Sequence, residues 1–319
     1  MVTGMKAKYS KQHWLHFSEN GLCLFETGPG KDALPYLDIK ATLSADSPLS
    51  APAAHMRWVR QHAGKRLNIL LSNGLYQLLL SDVPDVPEAE LRDAIELKAA
   101  DLINYDLEDA LIDVIQLPSD AYRGRMKMAF IVAMMKTPLQ QWLVELAQHG
   151  IRVDIIDVEM TQLRNLLVFH QTVPETGILQ LTANSSRLLL TYQREMVLSR
   201  AFDIGLGSLI REQTVQDGEL ELTLDSAESS DIQLESLALE IRRSFDYYEA
   251  QLGLGSLGEV RLLCDARYDY LADELTQRLG VRFSMIRPED FMTIRLSQMD
   301  LDPVNFYGLT GSVYREALS

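Results

Sequence analysis

The apolar positions of the first 71 residues fall in short runs that are typical of β-strands. Short apolar runs at 14–17 and 22–25 flank Asn20-Gly21, which predicts a tight hairpin because both residues accept positive φ. A third strand is predicted at 36–39, and the apolar run 67–71 predicts a buried strand. The chain therefore opens with a three-stranded meander, followed by a strand of the sheet core.

A further set of elements follows this opening. Pro87 precedes a predicted helix at 88–103, where an early proline costs little because its missing N–H has no helical partner. Strands are predicted at 111–117 and 127–135, joined by a polar turn. The apolar face of the helix consists of Leu91, Ile95, Ala99 and Leu102. Helix, strand and helix are then predicted at 139–148, 151–158 and 160–169.

The second half repeats this layout. Residues 171–177 include Pro174 and predict a hinge. Short strands are predicted at 178–181, 188–192 and 196–202, and an acidic loop or hairpin at 217–231. Ser230 and Gln233 fit a capping box that opens a long helix. The periodic apolar positions of that helix are Leu234, Leu237, Ile241, Phe245, Tyr248 and Leu252.

The last predicted elements are strands at 260–264 and 281–286, with helices at 268–279 and 305–317. Each half thus begins with three strands and continues with alternating helix and strand. This layout predicts two α/β domains of related design. A length of 319 residues suits two or three domains, and 47% hydrophobic with 24% charged residues is ordinary for a globular chain.

The charge excludes two classes of partner. There are 45 Asp and Glu against 30 Lys and Arg, a net charge of −15. Nucleic-acid affinity depends on cations that neutralise phosphates, so the chain is a poor DNA or RNA binder. The same charge is repelled by an anionic membrane surface, which argues against direct lipid docking.

Compartment is predicted from the cysteines and the N-terminus. Cys23 and Cys264 lie far apart in sequence, which favours a reducing compartment and a buried, inert Cys264. Residues 1–11 are polar and predict no signal peptide, and no apolar run approaches the roughly 20 residues of a membrane span. The protein is therefore expected in the cytoplasm.

Several segments resemble the PilM family of type IV pilus assembly proteins. In 234–252, a recurring pattern of the family's long helix is matched by Glu240, Ile241, Arg243, Ser244, Tyr247 and Tyr248. Further similar segments are 86–118 with Asp113, 157–166, 200–205 with Gly207, and a degraded form of the family's terminal helix at 305–315. Within the family, the chain is most similar to the branch that serves MSHA-type pili. The cytoplasmic domain of the type II secretion protein GspL shares the family's fold.

The resemblance implies the actin-like ATPase fold, a ribonuclease H-like α/β architecture of two related domains around a nucleotide cleft. It implies a first domain at 1–172 with an inserted subdomain at about 73–138. It also implies a second domain at 177–304. A C-terminal helix at 305–319 is expected to pack back towards the first domain.

Nucleotide-binding members of this fold carry two Asp-x-Gly hairpins and a Gly-Gly turn, and the chain departs from all three. The corresponding stretches read His-Phe-Ser-Glu at 16–19, Gln-Leu-Thr-Ala-Asn-Ser-Ser at 180–186 and Cys-Asp-Ala at 264–266. Glycine matters because a Cβ blocks close backbone approach to phosphate, and the lost aspartates leave Mg²⁺ without an anchor. These departures predict a pseudo-ATPase with no catalytic residue, no metal site and no bound cofactor.

Two readings of the second hairpin remain open. If ATP does bind, its phosphates would be contacted by Asn184, Ser185 and Ser186. The alternative is an ordinary polar turn, for which Asn and Ser are well suited. The corresponding functional alternative is an ATP-binding conformational switch of the same assembly, closing at the hinge 171–177. An unrelated α/β enzyme is a third possibility, against which the lack of any catalytic constellation weighs.

The resemblance implies a non-catalytic scaffold in the assembly platform of a type IV pilus of the MSHA type. Family members hold the cytoplasmic tail of a bitopic inner-membrane protein, PilN-like or MshJ-like, and link it to the motor ATPase. The implied location is cytoplasmic, peripheral to the inner membrane through that partner. The tail groove is expected within 67–138, without assigned residues, and the acidic surface would suit a basic tail.

Other motifs favour plain structural roles. Gly253-x-Gly255-x-x-Gly258 follows a helix and precedes a strand, the reverse of the dinucleotide-binding order, so a helix stop is predicted. The histidines show no metal-ligand spacing; His13 and His16 are expected to be surface or strand residues. Core packing is favoured over a peptide-binding surface for Met126, Met128, Met134 and Met135.

Overall fold

The computed structural model describes residues 9–30, 34–171, 173–209, 213–216, 219–222, 224–297 and 301–318. The chain divides into two compact units. The first comprises residues 1–120, 124–169 and 288–319, and the second comprises 121–123 and 170–287. Across the described ranges, no helix combines the length and the apolar character that crossing a membrane requires.

The first unit contains a large mixed sheet and a smaller inserted sheet. Up to residue 170 its elements are β1 (Gln12–Ser18), β2 (Gly21–Pro29), β3 (Pro35–Ser44), α1 (Pro52–His62), β4 (Arg66–Leu71), β5 (Gln77–Asp82), α2 (Glu88–Ala100), β6 (Ala110–Gln116), β7 (Met128–Met135), α3 (Lys136–Gln148), β8 (Arg152–Val158) and α4 (Glu159–His170).

The predicted meander is confirmed. β1 pairs antiparallel with β2, which pairs antiparallel with β3, whereas β4 and β8 add on the other side of β1 in parallel. Leu15 lies opposite Leu24 on β2 and Ile69 on β4, and all three are buried. The Trp14 and Phe25 rings stack with centroids 5.9 Å apart. β2 is buried continuously from Leu22 to Gly28, so both faces of this sheet pack inside the protein.

The inserted subdomain has its own sheet, in the order β5-β7-β6, covered by α2. Its core is formed by Ile95, Ala99, Ile103, Ile131 and Ala133. The helix ends at Ala100, three residues before the predicted end. Leu102, predicted on the buried face, is instead 44% exposed, because the chain has left the helix and Ile103 packs inward in its place.

The second unit repeats the design of the large sheet. Its elements are β9 (Thr176–Leu181), β10 (Ser186–Tyr192), β11 (Glu195–Phe202), α5 (Leu206–Leu209), β12 (Gln213–Gln216), β13 (Glu219–Leu222), α6 (Leu224–Asp246), β14 (Glu259–Leu263), α7 (Tyr270–Leu279) and β15 (Phe283–Met285). The sheet order β11-β10-β9-β14-β15 matches β3-β2-β1-β4-β8, with an antiparallel meander and two parallel strands. The predicted hinge at 171–177 overlaps the start of β9.

The long helix α6 begins earlier than predicted. It starts at Leu224, so the capping box at Ser230 and Gln233 is wrong, and Ser230 lies buried within the helix. The acidic loop predicted at 217–231 is also wrong over 224–231, which is helical; residues 217, 218 and 223 lie outside the described chain. The predicted apolar face is confirmed from Leu234 to Leu252, and the helix ends in a π-helical turn, Tyr247–Gln251.

The C-terminal region requires a correction to the predicted second domain at 177–304. Residues from 288 onward belong to the first unit, because β16 (Thr293–Leu296) pairs in parallel with β3. The predicted terminal helix at 305–319 is instead a 3₁₀ segment, Pro303–Tyr314, followed by α8 (Arg315–Leu318). Gly311 allows the close approach of this segment, since a Cβ there would overlap the backbone of Gln162.

Candidate functional site

The first of the three nucleotide turns lies at the β1–β2 hairpin, beside the predicted stretch 16–19. The Glu19 carbonyl oxygen accepts a hydrogen bond from the Ser47 N–H at 2.8 Å. The Asn20 carbonyl oxygen accepts one from the Ala45 N–H at 3.1 Å. The turn is thereby anchored to the segment that follows β3, and it carries an acidic side chain, which repels phosphate.

A partly buried cluster of polar side chains includes His16, which lies on β1 shortly before the first turn. His16 Nε2 lies 3.1 Å from Glu159 Oε1, and Asn73 Nδ2 donates to Glu159 Oε2 at 3.4 Å. The Tyr76 hydroxyl donates to Asn73 Oδ1. Sequence reasoning took His16 for a surface or strand residue and missed this group, since its members come from separate segments. The Glu159 carboxylate is satisfied within the protein.

No metal centre accompanies this group. Within the residues that the structure covers, no three His, Cys, Asp or Glu side chains lie together in a way that could hold a metal ion.

The second turn, Thr182 to Ser185 between β9 and β10, is closed on itself. The Thr182 N–H donates to the Ser185 carbonyl oxygen at 2.9 Å, and the Thr182 hydroxyl donates to the same oxygen at 2.9 Å. The Ser185 N–H donates back to the Thr182 hydroxyl at 3.3 Å. The N–H groups of Thr182 and Ser185 are therefore already bonded inside the turn.

The segment that starts at Gly205 braces the second turn from outside. The Leu206 N–H donates to the Thr182 carbonyl oxygen and the Gly207 N–H to that of Ala183, both at 2.8 Å. A Cβ at Gly205 would lie 2.6 Å from the Ala183 oxygen and still closer to the backbone of the next two residues. The glycines of the 200–207 motif thus serve backbone packing against the turn.

The structure separates the three predicted nucleotide contacts. Asn184 is exposed at the tip of the turn, and Ser185 is half-buried. Ser186, the first residue of β10, is fully buried, so its hydroxyl is not accessible to a ligand. The predicted set therefore does not form one surface.

The third turn, at Cys264-Asp265-Ala266, is held by an internal ion pair. Asp265 Oδ1 accepts the Arg267 N–H at 2.9 Å, and Arg267 Nε donates to Oδ2 at 2.8 Å. The Arg267 guanidinium lowers the pKa of the Asp265 carboxyl. Burial raises the pKa of the Cys264 thiol to about 12, so this thiol stays protonated at neutral pH.

Two segments that carried the family resemblance meet through Asp157. Arg315 Nε donates to Asp157 Oδ2 at 2.8 Å, which ties the C-terminal segment to the end of β8. The same carboxylate accepts the Thr161 hydroxyl at 2.5 Å and the Gln162 amide at 3.0 Å. Asp157 therefore fixes the first turn of α4, a structural role.

The long-helix motif is buried in part, whereas its Arg243 and Glu240 side chains form an exposed ion pair. Ile241 and Tyr248 are fully buried, and the Tyr248 hydroxyl donates to the Thr191 carbonyl oxygen at 3.1 Å. The Ser244 hydroxyl donates to the Glu240 carbonyl oxygen at 2.9 Å within the helix.

A groove of about 1160 Å³ lies at one end of the inserted sheet. The groove is lined by the end of β5, residues 83–86, and residues 124–128 that lead into β7. Leu102 and Met126 line it while remaining 44% and 51% exposed. Core packing, predicted for the methionines, therefore holds for buried Met134 but not for Met126 or Met135, each of which is 51% exposed. We call this feature the insert groove.

The sequence has no counterpart among family models or curated proteins, but solved structures are similar. A PilM–PilN type IV pilus biogenesis complex matches with a TM-score of 0.65 and 19% identity, over 97% of this chain and 99% of that chain. A Bacteroides thetaiotaomicron protein with an actin-like ATPase fold matches with a TM-score of 0.53 and 11% identity, over 97% and 98%. The architecture of this chain is therefore the actin-like ATPase fold.

Proposed function

We propose that this protein is a PilM-like, non-catalytic scaffold of a type IV pilus assembly platform. It binds the cytoplasmic tail of a PilN-like inner-membrane protein and links that protein to the motor ATPase. Its place is the cytoplasmic face of the inner membrane, reached through the partner.

The observation that carries this proposal is the similarity to the PilM–PilN complex over nearly the full length of both chains. The segments that resemble the PilM family support it, since the structure joins two of them through Asp157 and Arg315. Within that family the sequence is most similar to MshI, so we assign the chain to an MSHA-type system with an MshJ-like partner.

The insert groove is the surface proposed to take the tail. It combines half-exposed apolar side chains with unpaired strand edges of a small sheet, the features that extended peptides use for docking. It lies within the stretch 67–138 in which the family resemblance placed the tail.

The proposal of a pseudo-ATPase is supported by the three turns. Each is stabilised by contacts of its own chain. The second and third carry no glycine that would let a phosphate approach the backbone closely, and the glycine of the first, Gly21, packs against the Leu43 carbonyl oxygen. An ATP-binding switch is the second candidate, favoured by the exposure of Asn184 at the tip of its turn.

Membrane recruitment tests the scaffold function. The full chain is co-expressed with a full-length PilN-like protein from the same organism, and its membrane-bound fraction is measured. We expect recruitment of the wild type and at least tenfold less for the Leu102→Asp, Met126→Asp variant. Leu239→Asp is the matched control, because Leu239 is 46% exposed on α6. Equal fractions with and without the partner would overturn the proposal.

A further inference from the structure

Among the described residues, β7 is the only strand that pairs with β6, because the order β5-β7-β6 places β6 at an edge of the inserted sheet. Val114 donates its N–H to the Asp113 carboxylate of its own strand at 2.9 Å. Bonding alternates along an antiparallel strand, so the N–H groups of Ile112 and Gln116 face the same open side as that of Val114. The edge therefore presents a row of donors and acceptors to an added strand.

A second groove, of about 240 Å³, runs between this edge and α2. Its apolar lining consists of Leu91 and Ile95 on the helix and Ile112 and Val114 on the strand. Alternate side chains of a strand placed beside β6 would point into this groove. Leu91 and Gln116 line both this groove and the insert groove, so the two are continuous.

Acidic side chains lie on β6, directly before it and on α2, and we call them the acidic rim. Glu108 and Asp109, directly before β6, are exposed, as is Asp113 on the strand. On α2, Glu96 is paired with Arg92 at 3.0 Å. Residues 73–138 hold twelve Asp or Glu against six Lys or Arg. A basic partner would therefore meet complementary charge.

We propose that the edge of β6 binds an extended basic peptide as a fourth strand of the inserted sheet. Alternate apolar side chains of the peptide fill the groove under α2, and its Lys and Arg side chains lie along the acidic rim. The inference rests on the proposed function in taking the tail of the membrane partner as the peptide, continued from the insert groove.

In the free protein, the Asp113 carboxylate occupies part of this edge. It satisfies the Val114 N–H in the free protein and thereby discourages pairing with other strands. On binding, the peptide backbone replaces the carboxylate, which turns outward towards the basic side chains.

The test uses the full chain and a fluorescein-labelled ten-residue peptide that alternates Lys or Arg with Val or Ile. Anisotropy is measured against the same peptide N-methylated at alternate residues, which removes its backbone donors. We expect the methylated peptide to bind at least tenfold more weakly. Val114→Pro should cause a similar loss, because it removes an outward-facing donor without touching the bonds to β7.

A charge variant keeps the test valid if the proline variant fails to fold. Glu108→Lys with Asp109→Lys should weaken binding about tenfold, whereas the matched change Asp203→Lys with Asp273→Lys, at exposed sites in the second unit, should alter it less than twofold. Equal binding of the methylated peptide would overturn the inference. A dimer in sedimentation that Val114→Pro dissolves would overturn it too, because a second copy would then be the occupant.

Membrane recruitment separates this inference from the proposed function. Full recruitment of the folded Val114→Pro variant, with loss in the Leu102→Asp, Met126→Asp variant, would overturn the β6 site and leave the scaffold function standing. Tight binding of the basic peptide without any recruitment of the wild type would overturn the scaffold function and leave the β6 site standing.

Discussion

The turn Thr182 to Ser185 and the inserted subdomain use their polar backbone in opposite ways. The turn bonds the N–H groups of Thr182 and Ser185 to its own oxygens and is braced by the chain at Leu206 and Gly207. The inserted sheet leaves an edge unpaired at β6, beside a groove with apolar lining. In a nucleotide-binding protein we would expect the reverse, with open donors in the turn.

In our proposal, the functional surface lies where backbone hydrogen-bonding groups are still available to a partner. A turn whose polar groups bond to one another needs no ligand to offset the cost of burying them, whereas an open strand edge is an unused template for pairing. The fold retains its two-sheet frame, and the open surface lies in the insertion. In our proposal, the chain keeps an ATPase architecture and binds its partner through the added subdomain.

The largest expected effect concerns the core of the insertion. Ile131 is fully buried there, so Ile131→Ala should lower the free energy of unfolding of the inserted subdomain by about 3 kcal/mol. Hydrogen exchange should show the loss in β5, β6 and β7 and not in the second unit. Leu97→Ala, at a 67% exposed site on α2, is the control and should change stability by less than about 0.5 kcal/mol. Equal loss in both units would mean that the insertion does not unfold separately.

Gly205→Ala tests whether packing closes the second turn. Its Cβ would collide with backbone atoms of the turn, so we expect a loss of about 2 kcal/mol in chemical denaturation. Gly255→Ala is the matched control, since a Cβ there meets nothing within 4 Å. If both variants were equally stable, the turn would be looser than described, and the case against nucleotide binding would weaken.

Arg315→Ala tests the tie between the C-terminal segment and β8. Asp157 has a side-chain exposure of 11%, so losing its charged partner should cost about 1.5 kcal/mol. Arg243→Ala removes a pair with Glu240 that is far more exposed and should cost less than about 0.5 kcal/mol. Equal costs in urea denaturation would contradict a structural role for the 157–315 contact.

The smallest effect concerns pH and the third turn. Arg267 lowers the pKa of Asp265 below its ordinary value of 3.8. A carboxyl whose pKa is lower in the folded state stabilises the fold fully at a pH above its unfolded-state pKa. This contribution is lost as the pH falls through its folded-state pKa. Arg267→Ala should therefore cost about 0.5 kcal/mol at pH 7, and the gap to the wild type should close below the folded pKa. A gap that persists unchanged in acid-titrated denaturation would rule out this ion pair as its source.

Periodic sequence signals predicted the frame of the fold well. The buried face of α6, from Leu234 to Leu252, and the opening meander follow directly from helix and strand periods. β16 was missed because four residues with half-buried alternation give too short a signal, and its partner β3 lies about 250 residues away.

The candidate sites were less predictable, because they depend on the tertiary arrangement. The position of each nucleotide turn followed from its flanking strands, but the burial of Ser186 depends on which way β10 faces. The His16–Glu159 contact joins residues 143 positions apart. The groove under α2 exists only once the order of the inserted strands is known.

Isothermal titration of the full chain with Mg·ATP tests the central claim, that the fold persists without its nucleotide chemistry. We predict no heat of binding and no thermal stabilisation at millimolar nucleotide, with the Asn184→Ala variant indistinguishable from the wild type. Saturable binding with one nucleotide per chain, weakened by Asn184→Ala, would contradict the account and identify the protein as a nucleotide-binding switch.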